Sequence, residues 1–333
     1  MAPSANDPRR VTIDDVARAA GVSRQTVSRA LNDKGEIDAN TKQRVLDLAQ
    51  ELGYRPSRFA RGLVRQDSTS VGLVIPDLLN PFFTEVAAAA LEAARKRGWH
   101  VVIYDTGDNA DEERGTLEAM ATQVDAVVGY LNLPEEEIDK LVRGLPVVLI
   151  DREHRGERFN AIRIDGEAGV HAAISHLADR GHTRIGMLDH RTRSEPSIRH
   201  RWFAEAMADR GLDPAAVSRA EQSIEGGQSA LRELLAAHPD ITAVFTFNDI
   251  IAIGALRAAR RLDRRVPEDL AVIGFDGLQL GTLVEPALTT VALDTRELGV
   301  LIVEQAGRLL SRSGPLSHEE ATVRAALRLR EST

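Results

Sequence analysis

The chain has 333 residues, 43 % hydrophobic and 28 % charged, enough for about two globular domains with real cores. It contains no cysteine, which excludes disulfides and thiolate chemistry and points to a reducing compartment. The net charge of -8 hides an asymmetry: residues 1–66 hold 12 Lys+Arg against 8 Asp+Glu, and residues 67–333 hold 30 against 42. In chain order, the opening "MAPSANDPRR" lacks the apolar core of an export signal. No run of about 18 apolar residues follows it. A cytoplasmic location away from membranes is the expectation.

Thr12 is placed to cap a helix whose first turn carries Asp14 and Asp15, where acids suit the helix dipole. Ile13, Val16, Ala17 and Ala20 form its apolar stripe, and Gly21 stops it. Ser23 caps a second helix, with Val27, Ala30 and Leu31 inward and Arg24, Gln25, Ser28 and Arg29 opposite or at its start. A third helix runs roughly from Asp38 to Leu52 and ends at Gly53. Two short helices about a tight glycine turn, supported by a third, describe a helix-turn-helix. The polar face of the second helix is rich in long donors and has no acid between Ser23 and Asn32. Arg reads guanine and Gln reads adenine by paired hydrogen bonds in the major groove, while Ser and Thr hydroxyls suit phosphates. A merely solvated helical subdomain would not need that set. A basic head on an acidic body is also the distribution expected when only the head meets a polyanion, so double-stranded DNA is the expected partner.

Next comes "YRPSRFARGLVRQDSTS", in which Pro56 ends the third helix and Ser57 can cap a short one reaching about Arg65. Arg58, Arg61 and Arg65 recur at helical spacing, with Ala60 and Leu63 between them. About two turns of helix are too short to be stable alone. The segment is expected to fold only against DNA and a partner chain, with Leu63 as a wedge in the minor groove.

From Ser70 onward, apolar strands alternate with amphipathic helices. The first half reads "SVGLVIP", "TEVAAAALEAARKRG", "WHVVIYD", a helical stretch near 111–122, "VDAVVGY" and "LPVVLID". The second reads "EAGVHAAISHLADRG", "TRIGMLD", "IRHRWFAEAMADRG", "ITAVFTF", "DIIAIGALRAARRL" and "DLAVIGFD". This alternation predicts two parallel sheets covered on both faces, in two lobes with a cleft between them. Ligands bind beyond the carboxyl ends of parallel strands. Asp77, Asp151, Asn248, Asp249 and Asp276 all directly follow apolar strands. Singly, each is explained as a helix cap or turn former; together they mark a polar cleft. Phe82 and Phe83 can wall that cleft, stack on a sugar face, or simply fill the core.

"VTIDDVARAAGVSRQTVSRALN", "ELGYRPSRFARGL" and "VGLVIPDLLNPFF" resemble the lactose/galactose-repressor (LacI/GalR) family of bacterial transcription regulators, over essentially the whole chain. The resemblance implies an α/β fold: an N-terminal helix-turn-helix domain plus a two-lobed body like the periplasmic binding proteins, with two parallel sheets. It implies a DNA-binding domain over 1–56, a hinge helix and linker over 57–69, and an effector-binding and dimerisation domain over 70–333. Lobe 1 would take about 70–161 and 293–321, and lobe 2 about 162–292 and 322–333. By position, Arg24, Gln25 and Arg29 match the family's base-reading residues, and Leu63 matches its intercalating hinge leucine. Thr12, Ser23, Thr26, Ser28, Asn32, Tyr54, Ser57, Arg58 and Ala60 complete the candidate DNA contacts. Gly62 departs from a good hinge helix at a cost of roughly 1 kcal/mol.

For the effector, the resemblance carries over Arg199, Asn248, Asp249 and Asp276, joined here by Asp77, Asn80, Phe82, Phe83 and Asp151. Trp202 stands where the family usually has glycine, which changes the local pocket. "PALTTVAL" places Thr289 and Thr290 at a crossover between lobes. No heptad extension follows "LRLREST", so a homodimer is expected. It would bind a palindromic operator with a central C-G step, under control of a small polar effector. In the family that effector is mostly a sugar, with purines or nucleosides the minority.

The rival classes are an enzyme and a sugar-binding protein without gene regulation. G-x-G-x-x-G, Walker A, G-x-S-x-G and H-E-x-x-H are all absent. The histidines are scattered, and without cysteine a structural zinc site has no thiolates to build on. No catalytic residue, cofactor or metal is expected.

Overall fold

The computed structural model describes residues 13–31, 37–52, 69–142, 144–152, 158–190, 196–311 and 320–333. The chain divides into two compact units, 1–68 and 69–333. Among the described residues no helix is long and apolar enough to cross a membrane.

The first unit holds α1 (Ile13–Ala20), α2 (Arg24–Leu31) and α3 (Ala39–Glu51). Gly21 takes φ +64 between α1 and α2, and the Val22 N–H closes the turn on the Ala17 carbonyl at 3.1 Å. Ser23 Oγ accepts the Thr26 N–H at 3.1 Å, capping α2, and Asp38 Oδ2 accepts the Thr41 N–H at 2.9 Å, capping α3. The apolar stripes meet in one small core of Val16, Ala17, Ala20, Val27, Ala30, Val45 and Ala49.

The second unit contains two six-stranded sheets. The first lobe is built from β1 (Ser70–Ile75), β2 (His100–Asp105), β3 (Ala126–Gly129), β4 (Val147–Ile150) and β5 (Asn160–Asp165), linked through α4 (Pro81–Lys96), α5 (Ala110–Met120) and α6 (Glu135–Val142). The second lobe follows with α7 (Glu167–Asp179), β6 (Ile185–His190), α8 (Ile198–Asp209), β7 (Val217–Ala220), α9 (Ile224–Ala237), β8 (Ala243–Thr246), α10 (Asp249–Arg261), β9 (Ala271–Asp276) and β10 (Thr289–Ala292). The chain then returns through α11 (Thr295–Leu310) and ends with β11 (Glu320–Arg324) and β12 (Ala326–Arg328). The orders are β11-β5-β4-β3-β1-β2 and β12-β10-β9-β8-β6-β7. Every pairing is parallel except β10 with β12.

These pairings locate the crossings between lobes. β5 stays in the first sheet to Asp165 and β11 stays there to Arg324, beyond the expected boundaries at 161 and 321. The reason is register: Val323 pairs Ile164, so both strands run their full length before leaving. Thr289 and Thr290 are not at a crossing either. They lie inside β10, paired with Ile273 and Gly274, and the chain leaves the second sheet only after Ala292. β7 and α9 add to the alternation read from the sequence. β7 is a four-residue edge strand with little apolar character, and two glycines interrupt the start of α9. Those glycines serve packing: a Cβ on Gly227 would stand 2.2 Å from the Ile251 carbonyl oxygen of α10. α11 lies on α4 by the same device, since a Cβ on Gly299 would meet Ala89 at 2.4 Å.

Candidate functional site

Each unit carries a candidate site. In the first, Arg24, Gln25 and Arg29 are exposed on α2, as a base-reading helix requires. Arg24 Nε lies 4.0 Å from Asp14 Oδ1, a weak pair between exposed groups that leaves the arginine able to reach outward. Ser23 and Thr26 are committed locally: their hydroxyls lie 2.9 Å apart while Ser23 caps the helix. Ser28 is half-buried. Thr12, Asn32, Tyr54, Ser57, Arg58, Ala60 and Leu63 lie outside the described residues.

In the second unit groups at the carboxyl ends of strands from both sheets come together, since Tyr130 after β3 lies close enough to Asp276 at the end of β9 to feel its charge. Asp276 ends β9 with φ 111 and is followed by Gly277 at φ 82. Asp108 and Asp151, after β2 and β4, also take positive φ, at 52 and 50. Backbone in this region is disfavoured for side-chain-bearing residues, and such strain gathers where a chain is held for function. Asp276 Oδ1 is 3.3 Å from Nη2 of Arg199, in the first turn of α8. The Arg199 guanidinium lies over the Phe275 ring at 3.9 Å and the Phe247 ring at 4.3 Å, and its Nη1 donates to the Phe247 carbonyl. Trp202 finds its space through the chain crossing: a Cβ on Gly166 would stand 2.7 Å from the Trp202 ring. The missing side chain at 166 accommodates the large one at 202.

Burial drives the electrostatics. The Asp276 carboxyl is pushed up to about 8, first by desolvation, then by the neighbouring Asp249 and Asp151, against the pull of Arg199. Asp249 is pushed up to about 7 by desolvation, against hydrogen bonds from Thr290 and Leu278. Those bonds also settle its task. Oδ1 accepts the Thr290 hydroxyl at 2.6 Å and Oδ2 accepts the Leu278 N–H at 2.7 Å, so Asp249 holds the segment that follows Asp276.

The other candidates divide in the same way. Asn248 is fully buried, with Oδ1 capping α10 at Ile251 and Nδ2 donating to Gln222 Oε1 at 2.9 Å. Asn80 caps α4 through the Phe82 N–H at 3.1 Å, and Asp77 Oδ1 accepts the Leu79 N–H at 2.8 Å. Phe82 is core. Phe83 is half-buried and sets its ring edge-on to Tyr130 at 5.1 Å. Asp151, Asp276 and Arg199 therefore share one environment around Tyr130, whereas Asn80 and Asp249 serve the scaffold.

Reading the sequence missed Tyr130, His190 and Phe247. Each closes or directly follows a strand, β3, β6 and β8 respectively, so the strand-end rule applied beyond acids and amides would have found them. It also did not join Glu167 and Glu205 to His171; the donor atoms of the three lie within 4.8 Å of one another on α7 and α8, with both glutamates exposed.

A helix-turn-helix followed by a two-lobed α/β body with a polar cleft defines a class, the bacterial DNA-binding regulators with a binding-protein-like body. Residues 12–57 match the family described as bacterial regulatory proteins, lacI family, and residues 174–333 match the periplasmic binding protein-like domain. The chain is 36 % identical over 293 residues to the ribose operon repressor of Halalkalibacterium halodurans, covering 87 % of each. It is 31 % identical over 329 residues to the HTH-type transcriptional repressor CytR of Escherichia coli, covering 95 % of this chain and 96 % of that one. A LacI family transcriptional regulator from Arthrobacter sp. FB24, in complex with lactose, superposes with TM-score 0.74 at 36 % identity, over 80 % of this chain and 99 % of that one. The lac repressor dimer bound to operator and the anti-inducer ONPF gives TM-score 0.74 at 25 % identity, over 97 % and 99 %. The chain belongs to the LacI family of bacterial regulatory proteins.

Proposed function

We propose that this chain is a transcriptional repressor whose hold on operator DNA is set by a sugar bound in the cleft. The observation that carries the reading is the buried Arg199–Asp276 pair at the carboxyl end of β9 in the second lobe. It offers a donor and an acceptor side by side, next to the ring faces of Phe247 and Phe275. Vicinal hydroxyls can bridge such a pair, and ring faces suit the C–H face of a sugar. The ribose repressor and the lactose-bound regulator among the relatives support the same ligand class. Arg24, Gln25 and Arg29 read base edges in each half of a palindrome, as two copies of the chain bind it. Leu63 from each copy wedges open the central step. Effector binding changes the lobe geometry and with it the pairing of the two hinges. By linkage, operator must change effector affinity by the same factor.

The test begins with operators selected from a random pool by the full-length chain. Their affinity is then measured by fluorescence anisotropy with and without D-ribose, lactose, cellobiose and adenosine. At least one sugar is expected to shift operator affinity by about fivefold or more. A response to adenosine alone overturns the sugar assignment in favour of a nucleoside. Selection of no sequence overturns the regulator reading.

A further inference from the structure

Two polar atoms in the cleft are buried, have no hydrogen-bond partner among the described residues, and belong to no role assigned above: Tyr130 Oη and His190 Nδ1. Buried polar groups are normally paired, and leaving one unpaired costs free energy. A buried orphan at a strand end beside the Arg199–Asp276 pair therefore points to a ligand atom.

Their surroundings place them on opposite walls. Tyr130 follows β3 of the first lobe, yet its hydroxyl feels Asp151 of its own lobe together with Asp276 and Arg199 of the second. His190 ends β6 of the second lobe, yet it feels Asp108 of the first lobe as well as Arg199. Each stands beside an aromatic ring, Phe83 at 5.1 Å from Tyr130 and Phe247 at 5.1 Å from His190. The cleft thus has two polar points, each flanked by a ring.

The chemistry of the two atoms narrows what can satisfy them. A phenol hydroxyl donates and accepts, and the neutral imidazole that burial favours at His190 donates its other nitrogen to the Ala220 carbonyl, which leaves Nδ1 as an acceptor. A ligand hydroxyl suits either atom in either state. An anion suits neither well, because Asp151 acts on Tyr130 and Asp108 on His190, and among the described residues the guanidinium that acts on both, Arg199, already serves Asp276 and the Phe247 carbonyl. We propose that Tyr130 and His190 read hydroxyl groups of a neutral sugar from opposite walls of the cleft, and that the cleft rejects the phosphate ester of the same sugar. This rests on the sugar reading above and narrows it to unphosphorylated ligands.

The experiment is calorimetry on the full-length chain with D-ribose, D-glucose and D-galactose, each paired with its terminal phosphate ester. One neutral sugar is expected to bind, with its ester at least tenfold weaker. Tyr130→Phe removes only the hydroxyl and keeps the ring against Phe83; His190→Phe keeps a ring beside Phe247. Each is expected to weaken the neutral sugar about tenfold. His190→Asn places an amide near the Nδ1 position and is expected to recover most of that loss. Unchanged melting temperatures for the free variants separate ligand reading from folding. An ester that binds as well as its parent sugar overturns the inference, as do Phe variants that bind like the unaltered chain. If Asp276→Asn abolishes sugar binding while both Phe variants retain it, this inference falls and the sugar reading stands. Silence of all six compounds overturns this inference, and silence of lactose and cellobiose as well overturns the sugar reading with it.

Discussion

Arg24 and Arg199 carry the same guanidinium into opposite surroundings. The Arg24 side chain is 72 % exposed and lies 4.0 Å from Asp14. The Arg199 side chain is 10 % exposed, faces an Asp276 side chain 4 % exposed, and lies between two phenylalanine rings. In the head, the core among the described residues is made of small aliphatic side chains and leaves the polar groups of α2 outside it. In the body, the core surrounds the polar groups themselves. The difference assigns them different physics. An exposed arginine is free to meet phosphate and base edges, and its contribution appears only when DNA arrives. A buried one is ordered in advance and shapes the folding equilibrium as well as any ligand's binding.

The largest expected effect falls on Arg199. Arg199→Ala leaves Asp276 buried without its cation, and losing one partner of a buried pair costs about 3–5 kcal/mol. That cost should appear in urea unfolding of the full chain at pH 9 and shrink at pH 6, where the orphaned carboxyl stays neutral. Equal cost at both pH values would show that packing against the two rings, and not charge, is what Arg199 supplies.

Next in size is the pH dependence of the intact body. The Asp276 and Asp249 carboxyls are raised to about 8 and about 7, so the folded chain binds these protons more tightly than the unfolded one. Their stabilising contribution is complete below the unfolded value near 4 and is lost as pH rises through about 7 and 8. The melting temperature should therefore fall between pH 6 and pH 9, on the order of 5 °C, and Asp276→Asn should flatten the upper part of that fall. A rising profile would contradict the protonated cleft.

In the head the expected effects are smaller and fall on binding. Arg24→Ala should cost about 1–3 kcal/mol on the selected operator while relaxing preference at one base pair. An equal loss on random DNA would place Arg24 on phosphate alone, and the melting temperature should not move. The smallest effect is local: Ser23→Ala removes the α2 cap and should cost the head about 1 kcal/mol of stability. Hydrogen exchange at the start of α2 would register it, and unchanged exchange would mean that the Gly21 turn alone holds the helix start.

Much of the head was legible from local pattern. Gly21 at the turn, Ser23 at the cap and the Val16, Ala17, Ala20, Val27 and Ala30 part of the core all follow from helix periodicity and backbone hydrogen bonding within a few residues. The alternation of strands and helices in the body was legible for the same reason, down to the unbroken apolar runs of strands such as β9, buried along its whole length. β7 was not, because a short edge strand needs no apolar run.

The cleft itself was only half legible. The amino-acid sequence determines that Asp77, Asp151, Asp249 and Asp276 stand at the ends of apolar strands, because strand length and apolar pattern are local properties. Which of them meets the cleft depends on partners far away in the chain. Thr290 and Leu278 occupy both oxygens of Asp249 and turn it to scaffold work, while Phe247 and Phe275 hold Arg199 against Asp276. The juxtaposition of Tyr130 with groups of the second lobe, and of His190 with Asp108 of the first, likewise exists only once the three crossings bring two sheets together. Desolvation and Coulomb forces act through space, not along the chain, so the proton affinities and orphaned atoms of this cleft are decided by the tertiary structure.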